Sequence, residues 1–251
     1  MPYAVKEAFK TLQGEGVHAG RAAIFCRFAG CNLWSGREAD RQKAGCNFCD
    51  TDFIGVDGEG GGLFPDAATL VRHLSSLWDA AAAPFVVLTG GEPMLQVDAA
   101  LIAALQQERF EIAIETNGTI AATAGIDWIC VSPKGTAPLA QAQGDELKLS
   151  YPQLDAPPER FETLDFKHFL LQPMDGAEIV RNTKLAIDYC LAHPRWRLST
   201  QMHKMIGVKY PCRVSRFIAS SISRRRMRST IQNRQMAANI EICMAILFVC
   251  G

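Results

Sequence analysis

The sequence has no apolar run long enough for a bilayer span, and its first residues, Met-Pro-Tyr-Ala-Val-Lys-Glu, lack signal-peptide character. No membrane association is expected, and the protein is placed in the cytoplasm. An excess of charge is missing too, since Lys+Arg and Asp+Glu both number 26. That balance is a composite. Seven Arg and one Glu lie from Pro211 onward, leaving residues 1–210 with 19 basic and 25 acidic residues, a net of −6. An acidic body speaks against nucleic-acid binding. The nine cysteines are odd in number and follow no regular framework, which disfavours a secreted disulfide scaffold and favours reduced thiols. What is present is a chain of 251 residues, 48% apolar, enough for one domain with a sizeable core.

Chemistry concentrates between Cys26 and Asp52. Cys31, Cys46 and Cys49 stand at C-x14-C-x2-C spacing, with Cys26 a short way upstream. Two thiolates two residues apart can converge on one metal or cluster, and the polar, glycine-bounded segment 32–45 can bring in the third. Counted as four, the thiols are compatible with a closed zinc site. Counted as three, they describe an iron–sulfur cluster with one iron lacking a protein ligand. Cys26 helps to choose. It lies in Ala-Ala-Ile-Phe-Cys-Arg-Phe (22–28), a predicted strand in which Ile24, Cys26 and Phe28 share a face, so it reads as a small buried hydrophobe. The count of three is favoured, with the four-cysteine zinc module kept as an alternative.

Elsewhere, polar clusters follow predicted strands. Thr11-Leu-Gln-Gly-Glu-Gly (11–16) offers Gln13 and Glu15 to the edge of a heterocycle, with glycines that permit close backbone approach. Arg27, on the strand face opposite Cys26, suits a carboxylate through a bidentate fork. Thr51 is a plausible hard oxygen ligand for Mg²⁺. The glycine-rich 55–62 matches no phosphate-binding spacing and reads as a flexible connection. An apolar stripe predicts a helix over 65–81, followed by a strand over 85–88 ending in Thr89-Gly-Gly-Glu-Pro. A helix over 97–110 precedes strands over 111–115, 127–131, 146–149 and 165–171; a helix over 176–192 and a strand over 196–201 follow. This order predicts a parallel α/β architecture with function at the carboxyl ends of its strands. TGGEP, ETNG, SPK, QPMD and STQMHK all stand there.

Together these motifs, from about Val5 to about Val208, resemble the radical S-adenosylmethionine (radical SAM) enzymes and, through the long x14 spacer and TLQGEG, the 7-carboxy-7-deazaguanine synthases of 7-deazapurine biosynthesis. The resemblance implies a compact, incomplete (β/α)6-type partial barrel. It implies a [4Fe–4S] cluster on Cys31, Cys46 and Cys49, Mg²⁺ at Thr51, and S-adenosylmethionine as cofactor. Cofactor contacts carry over to Phe48, Cys49, Asp50, Gly91, Glu92, Asn117, Ser132, Pro133, Lys134, Gln172, Pro173, Met174 and Asp175, with Glu115 a weaker candidate. Substrate contacts carry over to Leu12, Gln13, Gly14, Glu15, Arg27, Thr89 and His203. No side chain is assigned a catalytic role. The implied reaction takes 6-carboxy-5,6,7,8-tetrahydropterin to 7-carboxy-7-deazaguanine, by hydrogen abstraction at C6 and ring contraction with loss of ammonia. A flavodoxin-like electron donor and a homodimer are implied as partners. A glycyl-radical activase is the other radical SAM alternative, and the x14 spacer argues against it.

The resemblance stops before the end of the chain. Residues 1–209 are expected to form the catalytic domain and 210–251 a basic, then apolar, tail that is not an independent domain. A substrate contact from a free terminus near Lys209 is not expected to survive that tail.

Overall fold

The computed structural model describes residues 2–208; the expected tail lies outside the described residues. The chain begins with an element that the sequence did not announce, Tyr3–Leu12 (β1). It pairs antiparallel with Ala22–Phe28 (β2) and with the short Gly62–Phe64 (β3). Its period is hidden because two of its buried residues, Lys6 and Glu7, are charged.

From β2 onward the sheet is parallel. Phe85–Gly90 (β4), Glu111–Thr116 (β5), Trp128–Val131 (β6), Gln143–Tyr151 (β7), Asp165–Pro173 (β8) and Trp196–Leu198 (β9) complete the order β3-β1-β2-β4-β5-β6-β7-β8-β9. The two ends of this row do not pair, so the sheet is open, as expected for a partial barrel. Helices Ala67–Ser76 (α1), Ala99–Gln107 (α2) and Ile179–Ala192 (α3) follow β3, β4 and β8. Asp66 and Asp98 accept from Thr69 N and Leu101 N, satisfying first-turn donors and fixing where α1 and α2 start, two residues inside the predicted spans. Among the described residues, no α-helix joins β5 to β6, β6 to β7 or β7 to β8. The ring of helices is therefore incomplete on that side. The last strand is shorter than predicted, because the chain turns at Ser199 into the five-residue helix Met202–Ile206 (α4).

Alternation along the strands sorts two environments. Ile24, Cys26, Phe28, Val86, Leu88, Ile112 and Ile114 face outward and pack with Leu70, Val71 and Leu74 of α1 and Leu101, Ile102 and Leu105 of α2. A second outer cluster joins Leu147, Leu149 and Leu171 to Phe161, Ala186 and Trp196. Phe9, Phe25, Phe85, Val87 and Ala113 form a separate apolar cluster on the other face. Following that face toward the strand ends, Phe25 gives way to Arg27, Val87 to Thr89, and Ala113 to Glu115. The polar ends of these rows build the site.

The glycine-rich segment departs from expectation. Gly58 N donates to Lys6 O at 2.9 Å and Ala8 N to Glu59 O at 2.8 Å, so 55–62 is docked along β1. Residues without side chains let two backbones lie this close.

Candidate active site

The x14 spacer folds around Trp34. The Arg41 guanidinium lies 4.2 Å from the Trp34 ring, which meets Phe53 edge-on, and Arg41 Nη1 donates to Asn47 O at 2.9 Å and Cys49 O at 3.0 Å. The spacer's own arginine thus pins the Cys-x2-Cys turn. The Cys46 and Cys49 thiols hydrogen-bond to each other. This bond draws the Cys49 thiol down to about 6 and, together with burial, pushes Cys46 up. Burial raises Cys31, which also accepts from Leu33 N at 3.4 Å and lies within electrostatic reach of Cys46 and Cys49. Cys26 is fully buried among the outer-face residues of β2, and burial pushes its thiol up. It faces away from the other three.

Cys31, Cys46 and Cys49 lie close enough to act on one another electrostatically, as the ligands of one cluster would. A [4Fe–4S] cluster attaches each cysteine to a different iron, so its ligands must sit around a rim rather than about one point. Backbone N–H donors to Cys31 and Cys49, from Leu33, Trp34 and Thr51, are the kind of hydrogen bond that tunes a sulfur-ligated cluster.

The turn after β4 is locked to the approach to Cys31. Gly90 has φ +132°, and a Cβ on Gly91 would stand 2.0 Å from Gly30 O and 2.9 Å from Cys31 Cβ. Gly91 N donates to Phe28 O and Glu92 N to Gly30 O. Glu92 does not line the cavity. It is wholly buried and accepts from Met94 N at 3.0 Å, Thr116 Oγ1 at 2.7 Å and Asn117 N at 2.8 Å, so its carboxylate ties β4 to β5. Burial raises its pKa, against those three donors.

Two adjoining cavities open at the strand ends, of ≈ 170 and ≈ 110 Å³, sharing Cys49, Asp50, Thr51, Lys134, Ser150, Gln172 and Gln201. The larger adds Glu15, Arg27, Thr89, Gly91, Glu115, Asn117, Ser132, Lys148, His203 and Lys204; the smaller adds Cys46, Phe48, Pro173, Met174 and Asp175. Cofactor-type and substrate-type candidates therefore share one continuous region. Leu12, Gln13, Gly14 and Pro133 are not among the residues that line either cavity. Arg27 Nε is held by Glu7 at 2.7 Å, one of the five donors of its guanidinium. Lys204 Nζ reaches Asp50 at 3.0 Å and Asp175 at 2.5 Å, joining α4 to the cysteine loop and to the end of β8. His203 packs on Gly14, where a Cβ would stand 2.2 Å from its Nδ1, and burial lowers its pKa.

No protein-family model matches the chain. It is 63% identical over 210 residues to the 7-carboxy-7-deazaguanine synthase of Bradyrhizobium diazoefficiens, an alignment covering 83% of this chain and 100% of the relative. The chain belongs to the 7-carboxy-7-deazaguanine synthase family. The synthase of Bordetella pertussis is 60% identical over 209 residues, with 83% of this chain and 100% of the relative covered. The crystal structure of QueE from Escherichia coli superposes with a TM-score of 0.62 at 29% identity, over 81% of this chain and 95% of that chain.

Within this synthase-family site, sequence reasoning passed over Lys148 and Ser150, and named Gln201 only as part of STQMHK. Lys148 is 4% exposed and extends from the inner face of β7 between Leu147 and Leu149, which both face outward. Its signal was there to read. A lysine alternating with two leucines, on a strand with neighbours on both sides, must point its charge into the interior.

Proposed function

We propose that the chain is a radical SAM enzyme that converts 6-carboxy-5,6,7,8-tetrahydropterin to 7-carboxy-7-deazaguanine with loss of ammonia. The observation that carries this reading is the 63% identity to a named synthase over that relative's whole length. Convergence of the resemblance-derived residues on one region supports it.

In this reading Cys31, Cys46 and Cys49 hold a [4Fe–4S] cluster. Phe48, Gly91, Asn117, Ser132, Lys134, Gln172 and the 173–175 turn hold S-adenosylmethionine. Once bound, the pair supplies reductive sulfonium cleavage and hydrogen-atom abstraction. The protein's part is placement and exclusion of water. Glu15 engages the heterocycle, with Gln13 bonded to Glu115 and to Glu15 N rather than lining the cavity, while Arg27 holds the substrate carboxylate and Thr51 a Mg²⁺ beside that carboxylate. His203 and Gln201 close the wall above Glu15. Residues 1–209 act as the catalytic domain, with 210–251 an appended tail; the complete coverage of relatives about 210 residues long supports this division. A cytoplasmic homodimer reduced by a flavodoxin-like donor completes the reading.

The test is iron, acid-labile sulfide and zinc per chain after anaerobic reconstitution, followed by the tetrahydropterin assay with and without Mg²⁺. About four irons and four sulfides with Mg²⁺-stimulated product are expected. Stoichiometric zinc without sulfide would overturn the reading. Deletion of 211–251 is expected to leave the iron content unchanged.

A further inference from the structure

Lys148 has no place in the chemistry above, yet it lines the larger cavity and is as deeply buried as Arg27, each 4% exposed. Its Nζ lies 2.6 Å from Glu15 Oε2 and 3.3 Å from Glu115 Oε2. The second oxygen of each carboxylate is held by an amide, with Gln201 Nε2 donating to Glu15 Oε1 at 2.9 Å and Gln13 Nε2 to Glu115 Oε1 at 2.9 Å. Glu15 N donates in turn to Gln13 Oε1 at 3.1 Å, closing a ring of Gln13, Glu115, Lys148 and Glu15. Both carboxylates line the cavity.

We infer that Lys148 is a positioning residue for substrate selection: it fixes Glu15 and Glu115 as paired hydrogen-bond acceptors on the cavity wall, selecting a heterocycle that presents N–H donors along one edge. This deepens the proposed function and rests on it for the identity of that heterocycle. A 2-amino-4-oxopyrimidine edge carries such donors. A 2,4-dioxo edge puts an acceptor where the amino group was, and two acceptors face to face leave both buried groups unpaired.

The charge balance explains why a cation is required. Lys148 is faced by Glu15 from the loop after β1, Glu115 from β5, the Cys130 thiol from β6 and Glu146 from its own strand, and His203 of α4 is also in range. Glu146 is occupied elsewhere, accepting from Trp128 Nε1 at 2.7 Å and Val17 N at 3.1 Å, and burial raises its pKa. Burial alone would raise Glu15 as well, but the Lys148 ammonium and the Gln201 amide hold it down at about 2. Removing the ammonium leaves buried Glu15 and Glu146 without their counter-charge, and burial then favours the protonated carboxyl. A protonated carboxyl offers a donor where the ring needs an acceptor.

The reconstituted full chain is tested with Lys148→Met and Lys148→Arg. In Lys148→Met, KM for the tetrahydropterin is expected to rise at least about tenfold, far more than kcat falls. Its kcat/KM should climb with pH where wild type is flat, and Lys148→Arg should recover part of the loss. Wild-type KM with a flat pH profile in Lys148→Met would overturn the inference. If Lys148→Met does not fold, equilibrium binding of pterin and of lumazine (the 2,4-dioxo analogue) to wild type decides. Pterin is expected to bind at least about tenfold tighter, and equal affinities overturn the inference. A wild-type chain that prefers pterin but makes no product leaves the acceptor pair standing and removes the reaction assignment. Product formation with equal affinities does the reverse.

Discussion

Replacing Gly91 with Ala tests whether the turn after β4 and Cys31, the first of the proposed cluster ligands, form one mechanical unit. The added Cβ would stand 2.0 Å from Gly30 O, against 3.4–4 Å for ordinary contact, so the segments must separate by about 1.4 Å. The opposing atoms are backbone, and no rotamer relieves the overlap. Overpacking of this kind costs about 1–3 kcal/mol. Weakening the Glu92 N to Gly30 O bond adds about 1 kcal/mol. The sum, about 2–4 kcal/mol, lowers Tm by about 4–16 °C in a domain of this size. Because Cys31 directly follows Gly30, the displaced segment carries a proposed cluster ligand, and iron per chain after reconstitution is expected to fall as well. Gly62→Ala is the control, since a Cβ there meets only the Phe64 ring at 3.8 Å. Thermal unfolding of the iron-free chain and iron analysis read the two effects separately. A Gly91→Ala variant with unchanged Tm and full iron would refute the coupling.

Three further outcomes are expected. Glu92→Gln places an amide nitrogen against one of three donors and destabilises by about 1–3 kcal/mol; an unshifted urea midpoint would contradict the clamp. Cys26→Ala costs about 1 kcal/mol of packing and keeps wild-type iron, whereas loss of iron would return Cys26 to the ligand set. Glu15, depressed from 4.5 to about 2, contributes stability that is present above pH 4.5 and lost as pH falls toward 2. Urea unfolding of Glu15→Gln should therefore depend less on pH across that window than wild type does, and identical profiles would count against the Lys148 pairing.

Most of the parallel sheet was legible because its strands are buried on both faces and read as short apolar runs between turn residues. β1 was not, because burying Lys6 and Glu7 erases its period. The cysteine loop was legible as a spacing but not as a fold. That Arg41 spans Trp34 and the Cys-x2-Cys turn depends on contacts across the loop, which no periodicity encodes. TGGEP was placed at the right strand end, yet Glu92 turns inward. A motif gives the position of a carboxylate, while its hydrogen bonds decide what it faces. Lys148 escaped because the strand over 146–149 was not resolved into its two faces, as 22–28 was for Arg27.

The closure of the cavity wall has a consequence for how the chain is made. Gly16 N bonds Ser199 Oγ, Gly14 O accepts from Met202 N, and Glu15 accepts from Gln201, across separations of 183 to 188 positions. At synthesis rates of about 5–20 residues per second, about 10–40 s pass between the appearance of Glu15 and that of Gln201. Throughout that interval the nascent chain carries its three loop thiols with one wall of the cavity still missing. A polypeptide interrupted before Ser199 keeps every cysteine of the loop but lacks the Gln201, His203 and Lys204 wall of the cavity.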